Sequence, residues 1–182
     1  AQFTEIYRKS LWGRGSGTGS TLDNTVIASC QLLDIIDRYG VTLLLDVPCG
    51  DFTWMQPVLQ LRPAVKYIGM DIVMDLIVSH SEQNQVPSRE FFFMDLSDPT
   101  GFASLRNRTK LWGTDDVVLL HTKQALQHMA AHSVLSVLIN IDASKATYFL
   151  GTNLGTAQGR NPELGHYYRL KTSEWNVLVP PF

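Results

Sequence analysis

Apolar residues in this chain gather in short runs, and several of these runs end on an acid. Val41–Leu45 is apolar except for Thr42, and it leads into Asp46 and then the turn Pro48-Cys49-Gly50-Asp51. An apolar run of this length before a Gly/Pro turn predicts a buried parallel strand, here Thr42–Val47. VKYIGMD (Val65–Asp71) predicts a second strand, Glu90–Met94 a third with Asp95 behind it, Val117–His121 a fourth and Thr147–Thr152 a fifth. Val26, Ile27, Cys30, Leu33 and Ile36 recur at helical spacing, which predicts a helix with those residues on its buried face, ended by Gly40. Shorter helices are expected over Trp54–Leu61 and Ile72–Ser81. A longer one is expected over Ala130–Ser144, with Val134, Leu135, Val137, Leu138 and Ile141 placed for burial. The polar stretch Leu96–Gly113 reads as a connection, and Tyr167–Leu170 with Trp175–Val179 as a closing antiparallel pair. Strands alternating with helices predict a three-layer α/β sandwich, its sheet mostly parallel with an antiparallel C-terminal edge.

The 182 residues suit one domain: an arm and glycine-rich loop over 1–20 and an α/β core over 21–182. A net charge of −2 supplies no electrostatic footprint for nucleic acid or an anionic membrane. No apolar run approaches the roughly 18–20 residues of a membrane helix, and no signal peptide is visible. A cytoplasmic protein is expected. The chain begins at Ala1 rather than Met, which allows for processing of an earlier segment. Cys30 and Cys49 are the only cysteines, and neither a disulfide nor a metal framework is suggested.

Candidate chemistry collects at the strand ends. In a parallel sheet Asp46, Asp71, Asp95 and the cluster His121-Thr122-Lys123-Gln124 all fall along one edge, where open α/β folds bind ligands. A lone acid after a strand is commonly a turn former, but three in succession point to a site. Asp71 stands about 20 residues beyond Gly50, the distance at which an acid accepts the ribose hydroxyls of a nucleoside. Asp95, on the next strand, is placed for the exocyclic amine of adenine. Upstream, Gly13–Gly19 has glycine at every second position. It reads either as a flexible linker or as a loop whose backbone approaches a ligand closely.

These residues carry a resemblance. LLLDVPCGDFTWM, YIGMDIV, FFFMDLSD and DVVLLHTKQALQHM resemble the successive motifs of class I, Rossmann-like S-adenosylmethionine-dependent methyltransferases. More narrowly, the chain is similar to a subgroup with an SGxGS loop (Ser16–Ser20) and a DxPCGD turn (Asp46–Asp51), and its tail from Asn161 resembles that subgroup's closing segment. The resemblance implies S-adenosylmethionine as cofactor. It places Asp71 and Ile72 at the ribose and Asp95 and Leu96 at the adenine. Asp46, Pro48, Cys49 and Gly50 fall at the methionine portion, and Asp51 near its amino group. Ser16 and Gly17 would fold over the site. Lys123, Gln124 and Trp54 would face the substrate, and His128 or His121 could act as base. Pro48 and Phe52 stand where the common family turn has glycine, which leaves Gly50 as its one residue free for positive φ. Lys123-Gln124 replaces an Arg-Asp pair. Those departures keep open a catalytically inactive module that binds or scaffolds within a larger assembly. The methyl acceptor, small molecule or protein, is not identified by any sequence feature.

Overall fold

The computed structural model describes residues 2–13 and 15–152. In chain order the elements are α1 (Gln2–Arg8), α2 (Leu22–Tyr39), β1 (Leu43–Asp46), α3 (Met55–Leu61), β2 (Lys66–Asp71) and α4 (Met74–Gln83). There follow β3 (Arg89–Phe93), α5 (Gly101–Arg108), β4 (Val118–Thr122), α6 (Ala131–Ser144) and β5 (Tyr148–Gly151), with 3₁₀ turns at Thr18–Ser20 and Leu126–His128. The strands pair in the order β3-β2-β1-β4-β5, and every pairing is parallel. All five lie within one residue, at each end, of where the apolar runs place them. The expected antiparallel pair at 167–170 and 175–179 lies outside the described residues.

The central strands β1, β2 and β4 are mostly apolar because both faces of the sheet are covered there. Leu43, Leu45, Ile68, Met70, Val118 and Leu120 pack with Phe102 and Leu105 of α5 and Val134 and Val137 of α6. Leu44, Tyr67 and Leu119 point the other way, to Leu32 and Ile36 of α2 and Met55 and Val58 of α3. Each fully buried side chain of this kind stabilises the fold by roughly 1.5–3 kcal/mol. From β1 the chain builds outward through β2 and β3, then crosses back to add β4 on the other side of β1. The direction of winding therefore reverses between β1 and β4, and the crevice of such a sheet opens beyond the carboxyl ends there.

Several expectations are corrected. The buried stripe of α2 is Thr25, Leu32 and Ile36; Val26 and Ile27 are exposed, as is Cys30. Thr25 can occupy the stripe because its hydroxyl bonds back to Thr21 O (2.8 Å) and Leu22 O (3.1 Å), which satisfies its polar atom inside the core. In α6 Val134 and Val137 are buried, Leu138 and Ile141 partly so, while Leu135 is exposed. The connection 96–113 contains a helix, α5, carried by Phe102 and Leu105 at i, i+3 among otherwise polar neighbours. The N-terminal arm is also helical, as α1.

Candidate functional site

The site is built from the turn after β1. Asp46 ends that strand and is buried, paired in register with His121 on β4 and Gly69 on β2. His121 Nδ1–H donates to Asp46 Oδ1 (2.7 Å), and Tyr67 O–H donates to Oδ2 (2.8 Å). Gly69 makes this possible, because a side chain there would collide with the rings of Tyr67 and Phe91. Burial and the nearby Asp46 charge push the Tyr67 pKa well above its ordinary value, so the phenol keeps its proton and goes on donating.

Beyond Asp46 the backbone turns on itself. Val47-Pro48 is a cis peptide bond. Cys49 N–H donates to Met70 O (2.8 Å), and Gly50 N–H to Asp71 Oδ2 (3.0 Å). Asp71 Oδ1 accepts from Val73 N–H (2.9 Å), so this carboxylate ties the turn after β1 to the turn after β2. Burial raises the Asp71 pKa, while the bonds from Val73 and Gly50 oppose that rise. The Cys49 thiol is pushed up by burial and by the charges of Asp71 and Asp46. Gly50 has φ 56° and Phe52 has φ 61°. Phe52 therefore takes a glycine's conformation, contrary to the expectation that Gly50 alone would. The strain, about 1–2 kcal/mol, is offset by a fully buried ring packed against Tyr67 (5.1 Å), Phe91 (5.2 Å) and His80 (5.8 Å). His80 Nε2–H in turn donates to Gly50 O (2.7 Å).

The N-terminal segment covers this turn. Ser16 N–H donates to Asp51 Oδ2 (2.7 Å), Asp51 N–H donates to Ser16 Oγ (2.8 Å), and Tyr7 Oη lies 2.7 Å from the same Oγ. Asp51 thus holds the loop as well as lining the cavity. A Cβ on Gly50 would collide with Ser16 Oγ, so glycine is needed there for space as well as for φ. Lys123 Nζ donates to Gly19 O (2.7 Å) and lies 5.7 Å above the Trp54 ring. Burial lowers its pKa, and the Asp46 charge opposes that. The glycine loop is therefore not a free linker; it is latched at Ser16 and Gly19 and lines the cavity.

A cavity of about 730 Å³ lies under this cover. Its wall includes Asp46, Pro48, Cys49, Gly50, Asp51, Asp71, Ile72, Asp95, Leu96, Ser16, Gly17, Lys123, Gln124, Trp54 and His128. His121 is not part of that wall; its Nδ1 is bonded to Asp46 and its ring edges Trp54 at 5.5 Å. Asp95 receives Ser97 N–H (2.9 Å) and Ser97 O–H (2.7 Å) on one oxygen, Oδ1, and Oδ2 has no protein partner among the described residues. His128 sits at the end of its 3₁₀ turn with its ring 4.9 Å from Trp12, and burial lowers its pKa. Sequence reasoning missed Phe3, Tyr7 and Trp12, which also line the cavity. The spacing of Phe3 and Tyr7 at i, i+4 is the signal that could have placed them on one helix face. Among the described residues no cluster of His, Cys, Asp or Glu is arranged to hold a metal ion, and no helix is long and apolar enough to cross a membrane.

No family model and no curated protein matches the sequence. Solved structures do. A SAM-dependent methyltransferase from Anabaena variabilis superposes with TM-score 0.64 at 13% identity, over 85% of this chain and 61% of that one. A methyltransferase of Thermobifida fusca, itself assigned only provisionally, gives 0.55 at 15% identity, over 76% and 56%. Human N-acetylserotonin methyltransferase in complex with SAM gives 0.56 at 16% identity, over 90% and 44%. The chain thus spans less than two-thirds of the length of each. At such identities the likeness is one of fold, and the chain has the α/β fold of SAM-dependent methyltransferases.

Proposed function

We propose that this chain is an S-adenosylmethionine-dependent methyltransferase whose cofactor lies across the carboxyl ends of β1, β2 and β3. One observation carries the reading. The methyltransferase strand order brings the acids after three successive strands into one covered cavity, beside a turn with a backbone N–H already bonded to Asp71. The residues fit the cofactor. The volume falls within the roughly 300–1,000 Å³ of small-molecule sites. Two lining carboxylates, Asp71 and Asp95, keep room for further donors, which suits a cofactor that presents hydroxyls and an amine.

When bound, S-adenosylmethionine supplies a methyl group on a sulfonium, open to in-line displacement. Asp71, held by Gly50 N–H and Val73 N–H, keeps one further lone pair on each oxygen for ribose hydroxyls. Asp95 Oδ2 is available to the adenine amine, with Ile72 and Leu96 against the base. Cys49 and Gly50 border the methionine portion, and Pro48 shapes that border without an N–H to give. Ser16 and Gly17, latched over the turn, exclude water. Lys123, Gln124 and Trp54 face the acceptor, and His128 takes its proton. Burial holds His128 neutral at pH 7, the form that can accept.

Calorimetric titration with S-adenosylmethionine, S-adenosylhomocysteine and NAD tests this. Binding of the first two and not the third is expected, and Asp71→Ala should weaken S-adenosylhomocysteine by about tenfold or more, the scale of a hydrogen bond to a charged group. Absence of S-adenosylhomocysteine binding at high micromolar concentration sinks the reading. Binding without transfer to any acceptor would turn it toward a module that has kept the cofactor and lost the reaction.

A further inference from the structure

We infer that the part of the cavity walled by Phe3, Trp12 and His128 receives a small, flat aromatic acceptor bearing a hydroxyl or amine. This rests on the methyltransferase reading above. Phe3 and Tyr7 meet the Trp12 ring edge-on, at 6.0 and 6.3 Å, and Trp12 lies against the His128 ring at 4.9 Å with a tilt of 33°. The result is an aromatic wall that carries one ring nitrogen base. Rings recognise rings through offset and edge contacts, which a saturated ligand of the same size cannot match.

Charge and enclosure narrow the class further. Lys123, the one lysine of the described lining, gives one of its hydrogen bonds to Gly19 O. Asp46 is occupied by His121 and Tyr67, and Asp51 by Ser16, so neither is free to receive a cationic acceptor. The cavity beneath the cover formed by α1 and the glycine loop has a volume of about 730 Å³, the size of a small-molecule site. In the reaction the acceptor oxygen or nitrogen forms the new bond to the methyl carbon as the carbon–sulfur bond of the sulfonium breaks. The bonding pair goes to sulfur, leaving a neutral thioether, and the acceptor proton passes to a ring nitrogen of His128.

The test is calorimetry on the chain in two steps: S-adenosylhomocysteine first, then 2-naphthol or its saturated counterpart 2-decalol added to the saturated protein. The expected result is S-adenosylhomocysteine binding followed by 2-naphthol binding about tenfold tighter than 2-decalol. Trp12→Ala should remove that preference, while its affinity for S-adenosylhomocysteine shows that it is folded; a preference that survives the substitution overturns the assignment. If S-adenosylhomocysteine binds but 2-naphthol does not, or 2-decalol binds equally well, this inference falls alone. If S-adenosylhomocysteine fails to bind, it falls together with the methyltransferase reading.

Discussion

The turn after β1 and the N-terminal cover are both in contact with the same cavity, yet they are built by opposite means. The turn is set in the core: Phe52 is fully buried, and Cys49 and Gly50 donate to Met70 and Asp71 at the end of β2. The cover is held from outside by a few part-buried polar contacts at Ser16 and Lys123 and by edge-on aromatic rings. Core packing costs kilocalories to disturb at any one position, whereas a part-buried hydrogen bond contributes about 1 kcal/mol. A site made this way has a floor that costs more to disturb at any one position than its cover does.

Phe52→Ala attacks the floor and carries the largest expected effect. It leaves the strained backbone in place and removes the ring that offsets it, so a loss of about 3–5 kcal/mol in denaturant unfolding is expected. A loss under 1 kcal/mol would show that Phe52 is not the anchor. Gly50→Ala should come next. It adds strain of about 1–2 kcal/mol at φ 56° and drives Ser16 off the turn, so floor and cover both suffer. Ser16→Ala separates the two regions most cleanly. About 1 kcal/mol is expected, felt as faster amide exchange at Asp51 and in residues 15–20, with the exchange of β1 and β4 unchanged. Slowing or no change at Asp51 would break the comparison.

The smallest effect is one of pH. Burial lowers the His128 pKa in the folded chain below its usual 6.5, so the unfolded chain takes up the extra proton first as pH falls. Stability is therefore lost from about pH 6.5 down to the folded value, and the parent should weaken relative to His128→Gln across that window. Thermal melts of the two that run parallel from about pH 7.5 to 5 would mean that the His128 ring is not buried against Trp12.

How much of this could be read in the sequence follows from what each feature depends on. The strands were legible because a run such as LLLD is apolar on both faces and ends on a residue that turns. The candidate residues of the floor followed, since the topology alone gathers Asp71, Asp95 and Lys123 at one edge. The face of α2 was misread because apolarity marks burial only on average: Val26 and Ile27 face out and a self-bonded Thr25 faces in. Helix α5 was hidden because two buried residues among eight do not make a visible period. Phe52 at positive φ could not be foreseen, since its conformation is imposed by rings from β2, β3 and α4 rather than by its neighbours in the chain. The same holds for the pairing of His121 Nδ1 with Asp46, which joins residues far apart in the chain.

The central claim is that the strand ends hold a nucleoside cofactor, and amide exchange with and without S-adenosylhomocysteine addresses it most directly. The expected result is slowed exchange confined to three stretches, 49–53 after β1, 71–74 after β2 and 95–97 after β3, together with residues 15–20 of the cover. No change at these stretches under saturating ligand, or protection at the opposite edge of the sheet, would contradict it.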